Sequence, residues 1–223
     1  MGHHRRGWQY LRNEDWASAR EEFQQAIRIV EVFPTAYYGL GKAHMGAREY
    51  AAAVTSFSTS RDQYLMLIGR DFTSQLEAKQ RRQDQIQELR SLIDELRTQP
   101  GMSTISATAR SRQLRDFTEY LRQLEDTERS GHSLSRDVAV PAEIYLSLGS
   151  ALFRSNRFPE AEAEYLNALK VNKDFGEAHN NLAVIYMMKY RYQDALTHLK
   201  AAEKAGYRVN PELKEQIKSR MAQ

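Results

Sequence analysis

Alanines and large apolar residues recur along this chain in one fixed register. Trp16 and Tyr50, Ala19 and Ala53, and Phe23 and Phe57 are each 34 residues apart, and Phe158 to Tyr192, Ala161 to Ala195 and Tyr165 to Leu199 repeat that step. An alanine followed four residues on by a bulky side chain, and three further by Ala26, Ser60, Ala168 or Ala202, marks one face of a helix. An earlier set, Gly7, Gly41, Gly149 and Ala183, falls in the same register, with Leu40, Leu148 and Leu182 preceding three of them. A small residue there lets neighbouring helices approach closely. Each unit therefore reads as two helices joined by a turn that carries an aromatic, and units of this period bury their apolar faces only by stacking on neighbours. These positions are read as core and perform no chemistry.

The register breaks between Ala53 and Ala161, 108 residues apart, which is three periods plus six. Residues 51–98 hold no proline and one glycine, Gly69, and predict a continuous helix. Ile86, Leu89, Ile93 and Leu96 step by three and four as in a heptad seam. Pro100-Gly101 ends that helix, and a second one is expected at about 106–129 with Leu114, Phe117, Leu121 and Leu124 on its seam. A hairpin closing near 101 sets Ile86 and Leu89 against Leu114 and Phe117, and Leu121 and Leu124 against Arg82 and Lys79. An antiparallel hairpin within one chain is the leading arrangement; a coiled coil between two chains is the alternative. The expected organisation is two units over 1–63, a helical arm over 64–130, a connector over 131–141, two further units over 142–209 and a capping helix over 210–223. In that cap Asn210 is the N-cap, Pro211 the first helical residue, and Leu213, Ile217 and Met221 share one face. The fold class is all-α: a solenoid of helix-turn-helix repeats with an inserted long antiparallel helical hairpin.

The segments Tyr37-Tyr38-Gly39-Leu40-Gly41 and Ala178-His179-Asn180-Asn181-Leu182-Ala183 carry the bulky, Leu-Gly and Ala order of a known pattern. With the Ala, Phe, Ala spacing of the second helices, the chain resembles the tetratricopeptide repeat family over roughly 1–60 and 142–209. The first unit departs from it, with His3 and Arg6 where a bulky aromatic and Leu are usual. The resemblance implies a peptide-binding concave groove lined by the first helix of each repeat. Carried over position by position, that groove displays Trp8 and Arg12, then Tyr38, Lys42 and Met45. Leu146, Ser150, Phe153 and Arg154 follow, and then Asn180, Asn181, Val184, Met187 and Met188. The asparagines suit a peptide backbone, methionines and aromatics supply adaptable apolar contact, and Arg12, Lys42 and Arg154 favour an acidic segment. Leu146 and Ser150 stand where relatives that clamp a C-terminal carboxylate carry Lys and Asn, so a chaperone C-terminus is not the expected ligand.

Composition narrows the remaining choices. Among 223 residues the net charge is +3, with acids mixed among the bases, there is no cysteine, and no stretch approaches the roughly 20 apolar residues that span a bilayer. The six histidines show no metal spacing, and there is no phosphate-cradling glycine loop or nucleophile elbow. Hence no catalytic residue, metal or cofactor is expected. His3-His4 reads as a tag remnant. Met1 falls near the first turn of a repeat, which leaves room for a native signal, anchor or further repeat before residue 1. The compartment, cytoplasmic or periplasmic, stays open. The leading function is a non-enzymatic scaffold for a protein or peptide partner. A homo-oligomer assembled through the arm is the alternative, and nucleic-acid binding by Arg81, Arg82, Arg110, Arg112 and Arg115 stands behind both, opposed by Asp84, Glu88, Asp94 and Asp116.

Overall fold

A computed structural model describes residues 2–30, 32–69, 75–98, 104–130 and 139–221, except the side chains of 69, 75–79, 104–110, 112 and 127–130. The chain is all-helical over these residues. Eight of the described helices form four pairs: α1 (Gly2–Arg12) with α2 (Trp16–Ile29), α3 (Pro34–Gly46) with α4 (Tyr50–Gly69), α7 (Ala142–Arg154) with α8 (Phe158–Val171), and α9 (Gly176–Met188) with α10 (Tyr192–Lys204). Between the second and third pairs lie α5 (Gln75–Thr98) and α6 (Thr104–Ser130); α11 (Pro211–Met221) follows the fourth. Residues 1–63 and 140–223 make one compact unit and 64–139 another.

One turn is used in all four pairs. Glu14, Arg48, Asn156 and Tyr190 adopt φ of 57°, 60°, 60° and 60° at equivalent positions. The next residue's N–H then reaches back to the helix it leaves: Asp15 to Tyr10 O at 3.0 Å, Glu49 to His44 O at 2.8 Å, Arg157 to Leu152 O at 2.9 Å and Arg191 to Tyr186 O at 2.9 Å. This closure satisfies a carbonyl that the helix end would otherwise orphan. It also forces a left-handed backbone on four residues that are not glycine. Asp15 then caps α2 by accepting from the Ser18 N–H at 3.1 Å, and Pro159 occupies the first turn of α8, where its missing N–H costs nothing.

The glycines of the first helices serve the rings of the second. A Cβ on Gly41 would lie 2.5 Å from the Phe57 ring, and one on Gly149 2.6 Å from Tyr165. The small residue therefore makes a socket for its partner's aromatic. Phe23 is held from two helices, against Gly7 of α1 and Gly39 of α3. Ala19, Ala53, Ala161 and Ala195, each four residues before Phe23, Phe57, Tyr165 or Leu199, are wholly buried.

The second and third pairs touch each other directly. Tyr38 and Ser147 hydroxyls lie 3.3 Å apart, and Arg61 Nη1 donates to Glu164 Oε1 at 2.6 Å. At the other end α11 packs on α10: Ile217 is fully buried, Lys214 Nζ donates to Glu203 at 2.7 Å and Asn210 Oδ1 caps the Glu212 N–H at 2.9 Å. Met221, expected on the covered face, is 42 % exposed.

Within residues 64–139, α5 and α6 bury Ile86, Leu89 and Leu124 together, with Phe117, Tyr120 and Leu121 packed against them. Arg90 Nη2 donates to Glu125 at 2.7 Å. Phe117 meets the Ile86 and Leu89 cluster as expected, and Leu124 and Leu121 join it too, although they were expected against Arg82 and Lys79. Arg82 is buried, so it is no part of a basic surface, whereas Arg115 is exposed. The predicted helical run through 70–74, the turn at Pro100-Gly101, the side chains of Lys79, Arg110 and Arg112, and most of the 131–141 connector lie outside the described residues.

Candidate functional site

The candidate residues stand on the first helix of each pair, and the structure separates them into three groups. At the start, Trp8 is spent on packing: its Nε1–H donates to His4 Nε2 at 3.0 Å, and its ring meets Phe23 at 5.5 Å and Tyr38 at 6.2 Å between centroids. His4 is buried beneath it, with Phe33 at 4.8 Å, and burial pulls its pKa down to about 4. Neither His3 nor His4 hangs loose as tag residues would; His3 Nδ1 meets Glu22 at 2.7 Å, beside the Arg6–Glu22 pair at 2.9 Å. The ion pair to Arg6, then the His3 bond, holds the Glu22 carboxyl below the usual carboxylate range against partial desolvation. Arg12 is half-buried at the end of α1, in a hollow of about 320 Å³ shared with Arg6, Gln9, Tyr10 and Asn13.

The middle group is knit into a polar strip. Tyr38 is buried, and Lys42 Nζ lies 5.5 Å from the centre of its ring. Tyr38 raises the Lys42 ammonium pKa against the opposing effect of burial, and Glu177 and Glu143 add to the rise. The charge on Lys42 is therefore answered from within the chain. Behind Ser150, the Tyr165 hydroxyl donates to its Oγ at 3.4 Å. Burial lifts the Tyr165 pKa to about 12, with hydrogen bonds to Ser150 and Asn181 pulling the other way. Asn180 Nδ2 stands 3.5 Å from Asn181 Oδ1, and both asparagines are half-buried. Phe153 packs edge-on against Phe158 at 5.2 Å, Met45 and Val184 are half-buried, Leu146 is buried and Arg154 is exposed.

Met187 belongs to a third group. With Met188, Tyr190 and Tyr192 it lines one wall of a cleft of about 910 Å³ whose other wall is α11. Sequence reasoning missed Glu143 and Glu177, although they stand 34 residues apart in the first turns of α7 and α9. It also missed Ser147, and it read Tyr165 as core only. Among the described residues no cluster of three or more His, Cys, Asp or Glu is arranged to hold a metal, and no helix is long and apolar enough to cross a membrane.

The sequence profile described as Tetratricopeptide repeat matches residues 4–64 and 146–208, more than half of the chain. The chain belongs to the tetratricopeptide repeat family, whose helical solenoids serve as protein-interaction scaffolds. No curated protein sequence matches it. Among solved structures it is similar to the TPR2AB-domain:pHSP90 complex of yeast Sti1, at 15 % identity and a TM-score of 0.33, covering 100 % of this chain and 98 % of that one. It is also similar to MamA, at 16 % identity and a TM-score of 0.31, covering 90 % of this chain and 94 % of that one.

Proposed function

We propose that this chain is a non-enzymatic scaffold in which four repeats, interrupted by a coiled-coil arm, hold a peptide or partner helix along their first helices. The observation that carries this reading is the half-buried polar strip of Ser150, Asn180 and Asn181, braced from behind by Tyr165. Side-chain amides held in place lose little freedom on binding, so their hydrogen bonds to a peptide backbone are retained as affinity. Arg154, exposed at the end of α7, rather than Lys42 would meet an acidic residue, because Glu177 and Glu143 already act on the Lys42 charge. Trp8 serves this surface by holding α1 against α3.

The arm is read as a spacer or second docking surface. Its seam is covered inside the chain, Ile86 and Leu89 by Leu124, which favours a hairpin over a seam between two chains. A photo-crosslinking side chain at 184 should capture partner in cell extract, whereas the same group at the exposed Thr197 should not. Replacing Asn180, Asn181 and Ser150 by alanine should cut that capture at least about tenfold with helicity unchanged. Capture that survives the triple variant overturns the groove reading. Light scattering on the intact chain and on one shortened within 64–130 tests the oligomer: a dimer that becomes a monomer on shortening would favour assembly through the arm.

A further inference from the structure

The cleft between the end of α9 and α11 departs from the pattern of the other pairs in a consistent direction. Tyr190 occupies the left-handed turn position held elsewhere by Glu14, Arg48 and Asn156. Those three are polar; Tyr190 sets an aromatic ring 80 % exposed in the same strained backbone. Met188, 46 % exposed, likewise stands where the earlier pairs have Arg12, Gly46 and Arg154. Two adjoining positions have thus changed from polar or small to large and apolar, and both open onto the same cleft of about 910 Å³.

The facing wall is a single stripe of α11, Glu212, Glu215, Gln216, Ser219 and Arg220, spaced three and four apart so that all look the same way. Glu215 is paired with Lys218 at 2.7 Å. Across the cleft, Lys189 is paired with Glu162 and Arg191 with Asp194. Glu212 and Arg220 make no ion pair among the described residues. They leave one negative and one positive charge about 12 Å apart along the helix, at 1.5 Å per residue.

We propose that this cleft docks an amphipathic helix of a partner protein, separately from the strip around Asn181. Its apolar face lies on Met187, Met188, Tyr190 and Tyr192, a Lys or Arg faces Glu212, and two turns along an Asp or Glu faces Arg220. A helix satisfies its own backbone hydrogen bonds and needs only side-chain contacts. An extended segment would need a row of backbone partners that Gln216 and Ser219 cannot supply.

The test is selection of a displayed library of helical 16-residue peptides against the full chain. Enriched peptides should carry an apolar stripe with a base and an acid two turns apart. Their binding should fall at least about tenfold in Tyr190→Asn, which installs the residue of the equivalent turn and keeps the fold. Glu212→Lys should weaken them similarly, and exchanging the peptide's facing base for Glu should restore binding to that variant. The proposal is overturned if no peptide is enriched, if enriched peptides bind Tyr190→Asn and Glu212→Lys as they bind the parent, or if the parent self-associates in light scattering and Tyr190→Asn does not, which would make a second copy the occupant. Variants at Asn180 and Asn181 should leave this binding unchanged, so the fate of the first-helix strip is read independently.

Discussion

In the helix pairs, Phe23, Phe57 and Tyr165 lie on glycine sockets and reach almost complete burial; in the arm, Ile86, Leu89 and Leu124 meet across a seam whose neighbours Phe117, Tyr120 and Leu121 are only half-covered. A socket fits one ring and tolerates neither a smaller ring nor a larger floor. A seam of aliphatic side chains shares each contact among several neighbours. The two units should therefore respond differently to the same chemical insult.

The sharpest contrast is truncation. Phe57→Ala should cost about 4 kcal/mol in chemical denaturation, through lost transfer energy and the cavity left against Gly41. Leu121→Ala in the arm should cost about 1–2 kcal/mol, since its side chain is already part-solvated. Equal losses would break the comparison.

A second contrast is pH. His4 is buried neutral with its pKa drawn down to about 4, and burial followed by the neighbouring His179 also lowers His198. A histidine whose folded pKa is depressed contributes full stability above its unfolded value near 6.5 and loses it as pH falls toward the folded one. For His4 alone that loss is about 3 kcal/mol at 1.36 kcal/mol per pH unit. Amides of α1–α3 should lose hydrogen-exchange protection between pH 7 and 4 before those of α5 and α6, and His4→Gln should flatten the profile. A flat profile in the parent protein would show that His4 is not held neutral.

Smaller effects test the socket itself. Gly41→Ala should cost about 2 kcal/mol by overpacking, whereas adding Phe57→Leu should recover part of what the two single changes lose together. That double variant copies the fourth pair, which has Ala183 and Leu199 at these positions, and the recovery is read as non-additivity in a double-mutant cycle. Smallest is the ion-pair comparison. Arg61→Ala should cost about 1–2 kcal/mol because Glu164, its side chain 12 % exposed, is left without its partner. Arg90→Ala in the arm, where the arginine is 58 % exposed, should stay within about 0.5 kcal/mol.

What the sequence made legible follows from what its period encodes. The 34-residue step identified the helix pairs because Ala19, Phe23 and their counterparts must face one core. It carried no sign of the left-handed turns, since Glu14, Arg48 and Tyr190 are residues that rarely take that backbone and only the shared closing hydrogen bond imposes it. The packing of His4 was not legible, because it depends on Trp8, Phe23 and Phe33, which arrive from three elements. In the arm the pairing of Phe117 with Ile86 and Leu89 was legible, but not that Leu124, one heptad on, joins the same cluster, because a heptad pattern is satisfied equally by positions seven apart. Projection put Lys42, Ser150 and Asn181 on first helices, where they stand, yet it did not reveal that Glu177 and Glu143 act on the lysine's charge, because both acids belong to other repeats.

The contacts of Tyr38 with Ser147 and Arg61 with Glu164 join residues 109 and 103 positions apart, whereas neighbouring repeats ordinarily meet across about 34. Loop-closure entropy grows only logarithmically, by about 0.6 kcal/mol per doubling, so the longer excursion costs little at equilibrium. Its effect is on sequence of events. The pairs on either side form from local contacts, and α5 and α6 shorten the intervening path when they zip together. A joint closed over so long a separation raises the contact order, so shortening residues 64–130 should speed refolding in stopped flow.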